Sequence, residues 1–202
     1  NPYATYHANP ISNRNIKGLP LAMNTSRAPR VSIIVIVYRM ARQALNTLYS
    51  LSTAHQKNVA DNDYEVIVIE NESDDMLDSD LINSLGANFI YRRHKPSNQS
   101  PVSAINYGFE LAKGDFIGLL IDGARILTPR VIEYALMIAK LPSNPLLATA
   151  TFNLGPYLHY DPRVTSFNID QEQKMLSETN WRINGYRLFD IANVGEANPV
   201  GY

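Results

Sequence analysis

Between residues 31 and 152 short apolar runs alternate with stretches of helical spacing. Val31-Ser-Ile-Ile-Val-Ile-Val37 is a β-branched run, the pattern of a strand buried on both faces. Ala41, Leu45, Leu48 and Ser52 recur at helical spacing and predict an amphipathic helix over about 41–56. Tyr64-Glu-Val-Ile-Val-Ile69 predicts a second buried strand. The polar turn Glu70-Asn-Glu-Ser-Asp-Asp75 follows it, then a short helix through Ile82. Asn88 to Tyr91 reads as a weaker third strand. Val102, Ile105, Phe109 and Ala112 mark a helix that Gly114 closes. Phe116 to Ile121 predicts a fourth strand. Val131, Ala135 and Ile138 mark a further helix, with Thr128 as N-cap and Pro129 in its first turn. Leu146 to Phe152 reads as a fifth strand.

Strands joined by crossover helices imply an α/β fold: an open, mostly parallel, twisted sheet with helices on both faces. Residues 1–29 show no period and read as an irregular arm, residues 30–153 as the α/β domain. From 154 to 202 the pattern degrades. Segment 170–180 looks helical there, and Tyr186 to Ala192 reads as a strand.

Composition narrows the function classes. Hydrophobic residues make up 45% and charged residues 18%, a globular balance. The net charge of −1, from 18 basic and 19 acidic residues, lacks the basic excess of a nucleic-acid partner. With no Cys, disulfides and Cys-based metal sites or nucleophiles are excluded. No apolar run approaches the ~20 residues that span a bilayer, and no signal peptide is visible. A cytoplasmic location fits, with peripheral membrane association open. The first residue is Asn1 rather than Met, so the chain reads as trimmed, and its missing ends could hold targeting or membrane segments.

In open α/β sheets ligands bind beyond the carboxyl ends of the strands. Those ends are Tyr38-Arg39, Glu70 to Asp75, Arg92 to Ser100 and Asp122-Gly-Ala-Arg125. Two of the four turns begin with a carboxylate directly after an apolar run, which aims it into a cleft; one such residue alone is as often a helix cap. No Gly-x-Gly-x-x-Gly follows the first strand, and no P-loop, His-Glu-x-x-His or Gly-x-Ser-x-Gly occurs. The four His residues are scattered, which argues against a His-based zinc site.

Four motifs carry a resemblance. They are Val31 to Tyr38; Glu65-Val-Ile-Val-Ile-Glu-Asn-Glu-Ser-Asp-Asp75; Ala104-Ile-Asn-Tyr-Gly108 with Ala112-Lys-Gly-Asp115; and Leu119-Leu-Ile-Asp122. In this order and spacing, over about residues 30–140, they resemble the family 2 glycosyltransferases of the GT-A fold. The resemblance implies a metal-assisted transferase of polysaccharide or glycoconjugate synthesis. It would take a sugar from a nucleoside diphosphate sugar, UDP-sugar favoured, usually with inversion. The acceptor, whether sugar, lipid-linked or protein, is left open. Residues 154–202 would then begin the acceptor side, and the chain looks short for a complete member.

Residue by residue, Glu70 stands where an acidic residue, normally Asp, binds the base through its ring N–H. Val37 and Tyr38 should lie against base and ribose. Asn71 and Ser73 fit the turn, with Glu72 in place of a common Gly, and Asn106 and Gly108 match an Asn-x-Gly, with Ile105 for a common Arg. Asp122 opens the Asp-x-Asp motif that holds Mg²⁺ or Mn²⁺ on the diphosphate. Here it reads Asp122-Gly123-Ala124, so Asp122 is the one metal ligand, or else binds ribose or sugar hydroxyls. Arg125 or the Arg92-Arg-His-Lys95 cluster could supply positive charge; that cluster equally reads as a solvated strand end. The general base is expected in the second half, with Asp161, Asp170, Glu172, Glu178 and Glu196 as candidates. Trp181 to Tyr186 is either an acceptor-side loop or core. The competing functions are a nucleotidyltransferase, whose Gly-rich loop Tyr38-Arg-Met-Ala-Arg42 lacks, and a non-catalytic nucleotide-sugar-binding module.

Overall fold

The computed structural model describes residues 29–95, 100–121, 123–143, 145–155 and 169–194. Four strands, β1 (Val31–Val37), β2 (Tyr64–Asn71), β3 (Phe89–His94) and β4 (Phe116–Leu120), form one sheet in the order β3-β2-β1-β4. Every pairing is parallel, with Val37 level with Glu70 and Glu70 level with Arg93. The helices are α1 (Ala41–Leu51), α2 (Ser79–Asn83), α3 (Val102–Leu111), α4 (Val131–Ile138) and α5 (Ile169–Thr179). Parallel neighbours need crossovers, and these helices supply them on both faces of the sheet.

The two faces follow from the period of two along each strand. Val31, Ile33, Val35 and Val37 meet Ala44, Leu48 and Leu51 of α1 together with Ile132 of α4 and Ile82 of α2. Ile34, Ile36, Ile67 and Ile69 form the opposite layer under Ala104 of α3. All seven residues of β1 and all eight of β2 are buried, as continuous apolar runs require. The apolar run of β4 is different. It is the sheet edge, and Ile117, Leu119 and Ile121 stand exposed.

Gly108 and Gly114 allow this layering. A Cβ at Gly108 would lie 2.5 Å from Ile34 Cγ2, so α3 rests directly on β1. A Cβ at Gly114 would meet the Ser32 backbone nitrogen at 2.6 Å and the Val31 carbonyl carbon at 2.8 Å. Backbone of a central strand cannot step aside as a side chain can. Gly114→Ala is therefore expected to lower unfolding free energy by about 2–3 kcal/mol, the upper part of the overpacking range, in urea titration. Wild-type stability would remove the close approach as the reason for this glycine.

Several boundaries differ from the sequence reading. Helix α1 ends at Leu51 rather than near 56, where Ser52 turns extended. Helix α4 starts at Val131, not at Pro129, because Arg130 adopts a left-handed φ of 76°. Thr128 caps nothing; its carbonyl accepts from Gln56 Nε2. The fifth strand, β5, is Phe152–Leu154 and pairs antiparallel with β6, Ala192–Val194, in a separate ribbon. β5 straddles the expected 153/154 boundary. Gly185–Asp190 is a 3-10 helix rather than a strand, started by the Asn184 carbonyl oxygen accepting from the Tyr186 N–H. Helix α5 falls where expected, within one residue.

Candidate active site

The first two strand ends are tied together. Helix α1 has no cap of its own at Met40; Asp75, from the turn after β2, accepts from the Ala41 N–H at 3.1 Å. A neighbouring pair, Arg39 to Asp74 at 3.3 Å, spans the same gap. Arg39 holds a left-handed φ of 53°, a conformation that non-glycine residues adopt sparingly. The Arg39 guanidinium lies over the half-exposed Tyr38 ring. Ser73 closes the β2 turn on itself, its hydroxyl donating to the Asp75 carbonyl at 2.9 Å. Glu72 is absent from the positive-φ residues, so a glycine is not needed there.

Glu70 does not face an open cleft. Its side chain is wholly buried, and the Leu77 N–H donates to both carboxylate oxygens at 3.0 and 3.1 Å. The Tyr91 hydroxyl donates to Oε2 at 2.5 Å, and Arg93 Nε reaches that hydroxyl at 3.4 Å. Burial pushes the Glu70 carboxyl above its ordinary range, while the hydrogen bonds from Tyr91 and Leu77 oppose the rise. Next to it, Asn71 is buried on the opposite face, and its Oδ1 has no hydrogen-bond partner among the described residues.

The turn after β4 rests on α1. Thr47 Oγ1 donates to the Gly123 carbonyl at 2.6 Å and accepts from the Arg125 N–H at 2.8 Å. Ser50 Oγ accepts from the Leu127 N–H, and Gln56 reaches the Thr128 carbonyl and the Ile132 N–H. A Cβ at Gly123 would press on Met40 Sδ and Val37 Cγ2, so this residue sits directly on the β1 end. Val37 is thus core, and Tyr38 is the exposed member of its pair. Asp122 lies outside the described residues; Ala124 and Arg125 are exposed beside it. Among the described residues no three His, Asp or Glu gather as a metal site. Asn106 is exposed on α3, and Gly108 serves the contact with Ile34.

The candidate bases separate. Asp161 and Glu196 lie outside the described residues. Arg42, in the first turn of α1, reaches the Ile169 carbonyl, Gln173 Oε1 and Glu172 Oε2. This fastens the first turn of α5 to the strand-end side of the molecule. Asp170 is exposed in that turn. Glu172 is paired with Arg42 at 3.1 Å, and Glu178 lies two turns on, beside Lys174 at 3.9 Å. Trp181 is core, packed with Leu176 and Leu188 and in edge contact with Tyr49 and His55. In the Arg92 to Lys95 cluster, Arg92 and Arg93 are exposed, and His94 meets Ser103 and stacks on Tyr107.

The model of the glycosyl transferase family 2 matches residues 32–136, from β1 through most of α4. The chain belongs to glycosyl transferase family 2. The matched part of this family 2 chain holds all four strand ends, while α5 and Trp181 lie beyond it. Comparison with curated proteins gives no match. Among solved structures, S. aureus TarS 1-349 is similar, with 16% identity and a TM-score of 0.47. The match covers 63% of this chain and 41% of that one, so the chain spans less than half of the TarS length. No helix among the described residues is long and apolar enough to cross a membrane.

Sequence reasoning missed Asp75, Tyr91 and Thr47 as members of the site. Thr47 had a signal: a polar residue inside the apolar stripe of α1, with Ala44, Leu48 and Leu51. Tyr91 had none, because its partner is 21 residues away on the neighbouring strand.

Proposed function

We propose that this protein transfers a sugar from a nucleoside diphosphate sugar, with UDP as the nucleotide, to an acceptor, with inversion at the anomeric carbon. The family membership over residues 32–136 is the observation that carries the reading. The nucleotide would lie across the ends of β1, β2 and β4, with Tyr38 the exposed aromatic beside the base. Glu70 and Asn71 would shape the base end of the site. Ser73 closes the turn that faces the ribose, and Gly123 and Ala124 bring backbone close to the phosphates.

The donor set fits a hard cation that arrives with the diphosphate. Asp122 is its single carboxylate, followed by Gly123 and Ala124, and Mg²⁺ or Mn²⁺ takes its other oxygen ligands from phosphate and water. Such an ion neutralises charge on the departing diphosphate. The chain's own part is to hold that turn still through Thr47. Asp170 is the base we assign among the described residues, because it is exposed in the helical turn that the Arg42 contacts hold at the strand-end side.

Calorimetry with UDP and UDP-sugars, with Mn²⁺ and with EDTA, tests the reading. Nucleotide should bind, more tightly with Mn²⁺, and Asp122→Asn should abolish the metal's effect. Binding that ignores both EDTA and Asp122→Asn would overturn the metal assignment. No nucleotide binding at all would overturn the function. Binding without donor hydrolysis or transfer would favour the non-catalytic module.

A further inference from the structure

Helices α1 and α5 and the turn after α5 enclose a groove of about 390 Å³, within the size of small-molecule sites. It begins at Arg42 and Gln173, one turn from the strand ends, and continues past Asn46 to Asn180 and Arg182. Its chemistry is specific in kind. Three amide side chains, Asn46, Gln173 and Asn180, line it together with the Ser177 hydroxyl. Leu45, Leu176 and Ile183 supply apolar surface between them. No carboxylate lines it, and the Arg42 charge is paired with Glu172.

Two features show that the wall is built in advance. The Arg182 guanidinium lies 4.5 Å over the Tyr49 ring and 5.6 Å over Trp181, and donates to Asn46 Oδ1 at 3.0 Å. Asn180 takes a left-handed φ of 53°, the turn that ends α5 and brings Trp181 beneath the groove. The Asn180 side-chain amide makes no hydrogen bond among the described residues. Asn46 spends its oxygen on Arg182 and keeps its N–H donors.

We infer that this groove binds a neutral saccharide, one sugar unit of the acceptor held away from the reacting centre. A sugar hydroxyl both donates and accepts, and an amide side chain answers both roles at once. The C–H face of a pyranose meets Leu45 and Ile183. A phosphate would have to rely on Arg182 alone, since Arg42 is paired with Glu172, and the Arg182 guanidinium is already turned onto Asn46 and the Tyr49 ring. The inference rests on the sugar-transfer reading for the ligand's place in catalysis, and on the groove alone for its chemistry.

Trp181 is the protein's single tryptophan, so its fluorescence reports on this groove. The test titrates the protein with glucose, galactose, N-acetylglucosamine, cellobiose and, separately, inorganic phosphate, at millimolar concentrations. At least one sugar should change the Trp181 emission in a saturable way. Asn46→Ala should weaken that response about tenfold, and Ser177→Phe, which fills the groove, should abolish it. Both variants should bind UDP as the wild type does, which shows that they are folded. A response to phosphate without one to sugars would overturn the inference, as would a sugar response unchanged in Ser177→Phe. UDP binding with no sugar response overturns the groove and leaves the transferase reading standing. Sugar response without any nucleotide binding does the reverse.

Discussion

Asp170→Asn is expected to lower sugar transfer by roughly 10²–10⁴-fold while leaving nucleotide affinity unchanged. An acceptor hydroxyl is a poor nucleophile until its proton leaves, and a base must stand where it can take it. Glu172 is committed to Arg42 at 3.1 Å, and losing its charge would loosen α5 rather than remove a proton acceptor. Glu178 stands two turns further along, exposed and beside Lys174. Among the described candidates, Asp170 combines exposure with the helical turn that Arg42 fastens beside the strand ends. Steady-state kinetics should show the loss in kcat with little change in donor KM, and Glu178→Gln should leave both near the wild-type values. Full turnover in Asp170→Asn would sink the assignment and move the search to Asp161 and Glu196.

Glu70→Ala should destabilise the fold by about 3 kcal/mol, because it strands one buried and one part-buried donor, at about 1–3 kcal/mol for a fully buried one, and leaves a void. Those donors are the Leu77 N–H and the Tyr91 hydroxyl. Glu70→Gln keeps an acceptor for both and isolates the charge. Burial holds the Glu70 carboxyl above its ordinary value of 4.5, so the folded state prefers the protonated form. The stability from that preference is complete below about pH 4.5 and is lost as pH rises through the raised folded value. Relative to Glu70→Gln, the wild type should therefore weaken between those two points and stay level above them. Urea unfolding across that range measures it. A wild type that gains on Glu70→Gln as pH rises would show that hydrogen bonding outweighs burial, with the folded carboxyl below 4.5.

The central strands were legible because burial on both faces leaves a continuous β-branched run, and both β1 and β2 have one. The apolar run at 116–121 also marked a strand correctly, yet Ile117 and Leu119 on β4 and Ile121 just after it are exposed at the sheet edge. Periodicity reports what a residue is, not whether a neighbour covers it. The alternation in Tyr186 to Ala192 looked like a strand, but the Asn184 side chain starts a tight turn there and only Leu188 among its large side chains is buried. The placement of Glu70 was legible as a strand end and not as a buried carboxylate, since its partners come from a later turn and a neighbouring strand. Asp75 as the cap of α1 was hidden for the same reason, 34 residues from the helix it serves.

The connection after β4 has no regular structure of its own between Gly123 and Pro129, yet the side chains of Thr47 and Ser50 on α1, and of Gln56 just beyond it, hold its backbone. In hydrogen exchange a loop amide ordinarily opens by itself. Here the amide protons of Arg125 and Leu127 end on side-chain acceptors borne by α1, so their release means parting the loop from that helix. The loop beside Asp122 is thus fastened to a helix that packs on the sheet. Its amides should exchange more slowly than those of an unfastened loop, and a substitution at Thr47 would loosen the Gly123 to Arg125 end while Ser50 and Gln56 still hold the rest.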